Sequence, residues 1–176
     1  MSRHLPELPD SLAAAAGGVS PAECRAAGLS RRQLRRAGLV PVHRGLWVPE
    51  GSSGDLVTRC AVALRAARLG SAISHATAVE LRDLPMPLTP PKPLSPPEQD
   101  DEGEDDDAED APDPIHVSVP WPAQLRVEGI HAHRVRGGIP VERLGSGLLV
   151  TRGVRTWLDV APAWERDDLV ALGDAT

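Results

Sequence analysis

Four arginines carry the clearest chemistry in this sequence: Arg31, Arg32, Arg35 and Arg36, crowded into six consecutive positions. On a helix of 3.6 residues per turn they fall within an arc of about 140°, while Gln33, Leu34 and Ala37 take the opposite side. One face packs and the other is wholly cationic. Local stability does not account for this. Arg31 and Arg32 would sit at the positive end of the helix macrodipole and the i,i+4 pairs repel, each unfavourable by a few tenths of a kcal/mol. A polyanion offsets those costs, and the second helix of a helix-turn-helix is the element that enters a DNA major groove, where arginine reads guanine or holds phosphate. The plain alternative is a solvated face in an arginine-rich composition, because Arg outnumbers Lys 18 to 1.

Histidines form the second group. His131 and His133 alternate in a strand-like run and share a face, which can supply two metal ligands. A third ligand is not evident: His116 lies in another strand-like run of unknown register, and His75 near a helix start reads as structural. Surface or structural histidines are therefore expected, with no metal and no cofactor. The sequence has no GxSxG, P-loop or HExxH pattern, so no catalytic residue is expected and the protein reads as a regulator rather than an enzyme.

The elements that must position the arginines are marked by local signals. Asp10 to Gly18 reads as a short alanine-rich first helix. Ser20-Pro21-Ala22-Glu23 combines an N-cap, Pro at the first helical position and Glu at the third. Val19 and Cys24 are placed as a hydrophobic staple, and the helix should run to about Ala27. The same grammar recurs as Leu29, Ser30, Gln33 and Leu34, starting a third helix that Gly38 ends. Two capped helices separated by so short a turn must pack sharply against each other, which is the helix-turn-helix arrangement. Leu39–His43 and Leu46–Val48 flank Arg44-Gly45 as two β runs, the expected wing, with Arg44 at its tip and Pro41 on an edge strand. Beyond a small linker, Leu56, Val57, Cys60, Ala61 and Leu64 are spaced as a helix that Gly70 should stop, and another helix follows Ser74. Ile115–Val119, Ile130–Val135 and Leu148–Val150 read as strands, with helices near 152–161 and from 166 onward.

A formal charge of −6 superficially argues against a nucleic-acid partner. The average misleads, because residues 98–114 hold 11 Asp and Glu and no basic residue; the rest carries 19 basic against 14 acidic residues. That Pro-rich, then acidic stretch cannot bury a core and is expected to be a disordered insertion, either a solvated linker or an internal polyanion that competes for the arginine face. Cys24 and Cys60 are the only cysteines, and no signal peptide or apolar run approaching 18 residues is seen, so a soluble cytoplasmic protein with free thiols and no membrane association is expected.

The run "AAAAGGVSPAECRAAGLSRRQLRRAGLVPVHRGLWV" resembles the N-terminal domain of AbiEi-type antitoxins and their actinobacterial relatives. "SAISHATAVELRDLP" and "GLLVTRGVRTWLDVA" are similar to that family's Ser-His helix and its "TxxxRTxxDLA" segment. The resemblance implies a winged helix-turn-helix that represses its own operon, joined to an α/β antitoxin domain whose partner is a nucleotidyltransferase toxin. It matches Ser30, Arg31, Arg32, Gln33, Arg35 and Arg36 to the recognition helix, and His43, Arg44 and Gly45 to the wing. The acidic insertion departs from the family pattern, as does Trp157, where a smaller aliphatic residue is usual. Relatives continue past the position of Thr176, many into a nuclease domain similar to very-short-patch repair enzymes, so a shortened gene product or part of one is expected.

The expected fold is therefore α+β. An N-terminal winged helix-turn-helix (1–50) precedes a small mixed α/β domain built from 51–87 and 115–176, interrupted by the disordered acidic insertion (88–114). The expected function is a DNA-binding transcriptional regulator of antitoxin type acting on double-stranded DNA. The alternative is the DNA-targeting part of a restriction-endonuclease-like nuclease.

Overall fold

The computed structural model describes residues 18–42, 46–52, 54–88 and 113–176. The expected first helix, the wing tip His43-Arg44-Gly45 and most of the Pro-rich acidic segment lie outside the described residues. The fold is mixed α+β with two sheets.

Two short helices open the described chain, α1 (Pro21–Ala26) and α2 (Arg31–Arg36). Each begins on the reciprocal cap that its sequence announces. In the first, the Ser20 N–H donates to Glu23 Oε2 (2.7 Å) and the Glu23 N–H donates to Ser20 Oγ (3.2 Å). In the second, the Ser30 N–H donates to Gln33 Oε1 (2.9 Å) and the Gln33 N–H to Ser30 Oγ (3.4 Å). Helices of six residues are unstable alone, so packing must hold them. It comes from Val19, Cys24, Leu34, Leu39 and Trp47, a small core of its own with Leu29 against it.

Strands β1 (Leu39–Pro41) and β2 (Trp47–Pro49) pair antiparallel, with Val40 opposite Val48. Val19 bridges the other side of β2, exchanging hydrogen bonds with Trp47, which leaves β1 with Pro41 at the edge, where a missing N–H costs nothing. After a single 3-10 turn (Glu50–Ser52) comes α3 (Leu56–Ala66), capped by Asp55 through the Thr58 N–H. It ends four residues before the Gly70 expected to stop it: Ala67 is already extended, and Leu69 beyond it is 98% exposed.

The second sheet has strand order β5-β4-β3-β7-β6. Its strands are β3 (Ala72–Ile73), β4 (Ile115–Pro120), β5 (Ile130–Val135), β6 (Val141–Arg143) and β7 (Leu149–Thr151). Pairs β4–β5 and β3–β7 are parallel, while β3–β4 and β6–β7 are antiparallel. Cys60 and Ala63 of α3 join Ile73, Ile115, Val117, Val119 and Val150 in the main core. Helices α4 (His75–Glu80), α5 (Gly153–Val160) and α6 (Arg166–Ala175) close a further cluster through Val79, Val160, Trp164 and Leu172. Trp157 is fixed at the edge of that cluster by its indole N–H, which donates to the Leu169 carbonyl at 2.8 Å.

Leu46 and Val48 pack on Val62 of α3, so the small N-terminal core leans on the larger one. Arg65 of α3 reinforces this contact, donating to the Gly18 carbonyl and to Glu23 Oε2, both at 2.7 Å. The Arg65 bond, together with the Ser20 cap, holds the Glu23 carboxyl down to about 2. Among the described residues, no helix is long and apolar enough to cross a membrane.

Candidate nucleic-acid interface

Helix α2 presents its arginines because its other side is occupied. Leu34 is buried, Gln33 and Ala37 are half-buried, and Arg31, Arg32, Arg35 and Arg36 are all exposed. Ser30 and Gln33 are engaged with each other in the cap, so they orient the helix, and the four guanidinium groups remain as its outward chemistry. Among the described residues, none of the four pairs with a carboxylate. A shallow groove runs from this face toward α1 and β1, lined by Arg25, Leu29, Arg31, Arg35, Pro41 and Trp47. The structure thus brings together Ser30, Arg31, Arg32, Gln33, Arg35 and Arg36 on one helix; His43 and Arg44 lie outside the described residues.

The arrangement is suited to polyanions. Uncompensated guanidinium groups in water bind phosphate as bidentate donors, and four on one short face span several ångströms of backbone charge. The helix stays in place because its N-terminal cap, the packing of Leu34 and Leu29 in the small core and the Arg65 clamp on α1 are built from groups outside the cationic face.

A second cluster sits in the larger sheet, and sequence reasoning found only part of it. The parallel register of β4 and β5 sets His131 beside His116 and His133 beside Ser118, on the face opposite Val117 and Val119. His75, expected to be structural, completes the group. The Ser74 N–H donates to the His116 carbonyl (3.0 Å) and the His116 N–H donates to Thr77 Oγ1 (3.0 Å), docking the start of α4 on β4. The His75 ring stacks on that of His133 with centroids 3.5 Å apart, and His116 Nδ1 lies 2.9 Å from His133 Nε2. Burial pushes His75 and His133 down to about 3 and His116 to about 4; His131 adds to the shift at all three, His116 at His75 and His133, and His133 and Arg155 of α5 at His75, while Asp113 opposes it at His116. All three rings are neutral at pH 7. The signal available in the sequence was the alternation of His131 and His133; no spacing rule announces His75.

Comparison with known proteins matched no family model, and no curated protein matched the chain.

Proposed function

We propose that this chain is a DNA-binding transcriptional regulator in which α1, α2 and the β1–β2 hairpin act as a winged helix-turn-helix. Helix α2 enters the major groove of double-stranded DNA, and the hairpin lies along the adjacent backbone. The observation that carries this proposal is the exposed face of Arg31, Arg32, Arg35 and Arg36, unpaired with any carboxylate among the described residues, on a helix held by a reciprocal cap and a buried leucine. Its placement costs stability locally and gains it only against a polyanion. The antitoxin role, control of its own operon and a nucleotidyltransferase toxin as partner rest on the resemblance of the three sequence segments to AbiEi-type antitoxins, and a cytoplasmic location follows from the same reading.

Footprinting the full chain on the DNA upstream of its own gene tests the proposal. Protection of a discrete site is expected; uniform or absent protection at low salt rejects specific regulation at that site.

A further inference from the structure

We propose that His75, His116 and His133 form a binding site for one borderline divalent transition ion of the zinc class, fastening α4 to strands β4 and β5. One ligand nitrogen from each of the three lies within 4.8 Å of the others. Around a tetrahedral ion with nitrogen ligands at about 2.0–2.1 Å, neighbouring nitrogens stand about 3.3 Å apart. His116 Nδ1 and His133 Nε2 are already at 2.9 Å, so those two rings need only small rotations, and His75 must swing its free nitrogen off the stack toward them.

Several features outside the ring nitrogens favour a built site. Ser74 Oγ lies 2.9 Å from His75 Nδ1, fixing that ring by its inner nitrogen and leaving Nε2 as the ligand, the usual role of an outer partner at a metal-bound histidine. The backbone of His75 is held at φ 52°, a left-handed conformation uncommon outside glycine, where the chain turns from β3 into α4. The reciprocal bonds between Ser74, His116 and Thr77 fix the spacing of helix and strand, so the backbone need not move when the ion arrives and only the rings reorient. Ser118, fully buried and beside His133 on the same face, has an Oγ with no hydrogen-bond partner among the described residues, an unsatisfied polar group next to the ligands.

The donor set selects the ion. Three neutral imidazoles with no carboxylate suit zinc, cobalt, nickel or copper and are poor ligands for magnesium or calcium. Three protein ligands would leave a fourth position for water. The site does not depend on the DNA-binding proposal, since α2 contributes nothing to it.

The test uses the full chain without a histidine tag, stripped of metal and titrated with Zn²⁺ and with Mg²⁺ by calorimetry. One Zn²⁺ per chain is expected, with no Mg²⁺ binding, and saturating zinc should raise the melting temperature by about 5–10 °C. His116→Asn and His133→Asn should each weaken zinc binding at least about tenfold, while His4→Asn combined with His43→Asn leaves it unchanged. Should a cluster variant fail to fold, the ring-nitrogen resonances of the unmutated protein decide: one equivalent of zinc must shift those of His75, His116 and His133. The proposal is overturned by the absence of saturable one-to-one binding, by cluster variants that bind zinc like the parent, or by shifts confined to other histidines.

Discussion

Replacing Leu34 with alanine tests whether the small N-terminal core holds α2 in place. Leu34 is 1% exposed at the centre of a cluster whose other buried members are Val19, Cys24, Leu39 and Trp47. The substitution removes three buried carbons, about 2.4 kcal/mol of transfer free energy at about 0.8 per methylene, and leaves a cavity beside Trp47. So small a cluster, tied to α3 through Arg65 and Val62, collapses only in part, and a total loss of about 3 kcal/mol is expected. Urea denaturation followed by circular dichroism measures it: with a slope of about 2 kcal/mol per molar, the midpoint should fall by about 1.5 M. Leu34→Met, which nearly conserves volume, should lose less than about 1.5 kcal/mol. A loss below about 1 kcal/mol for Leu34→Ala would show that α2 is not held by this core, and the placement of its arginines would lose its physical basis.

Gly18 should tolerate no side chain. Its φ is 75°, and a Cβ there would stand 2.9 Å from both the Trp47 carbonyl oxygen and Val48 Cγ1, so Gly18→Ala should destabilise by about 2 kcal/mol or more in the same denaturation assay. Glu23 gives the acid limb of stability a specific origin. Its carboxyl is depressed from 4.5 to about 2, so its contribution is complete above pH 4.5 and is lost as pH falls toward 2. Glu23→Gln should therefore flatten the fall in stability across that window, and an unchanged slope would show that the Arg65 bridge contributes nothing in solution. The bridge is partly exposed, which keeps the effect small.

The signals that could be read directly from the sequence were local. Each capping box of α1 and α2 spans four residues and appears with the partners its spacing implies, and the staple residues Val19, Cys24, Leu29 and Leu34, six positions from end to end in each pair, share one small cluster. The hairpin followed from two apolar runs around a turn, and the longer strands β4 and β5 from their alternation. Strand β3 escaped because two residues carry no periodicity, and β6 because Val141–Arg143 exposes two of its three side chains. The end of α3 was misplaced because Gly70 is a strong stop signal, whereas exposure of Leu69 depends on the tertiary fold. The histidine cluster is the clearest case of information absent from any local window. It requires the parallel register of β4 with β5 and the docking of α4, which together bring His75 onto a ring 58 positions away.

The central claim is that the arginine face of α2 binds DNA phosphates, and the salt dependence of duplex binding by the full chain tests it most directly. Fluorescence anisotropy at a series of salt concentrations should give a linear fall of log affinity with log salt, with a slope of about −0.9 for each phosphate neutralised. Exchanging both Arg32 and Arg36 for alanine should weaken binding and reduce the slope by about 2. The same affinity and the same slope for parent and variant, or no duplex binding by the parent even at low salt, would contradict the account.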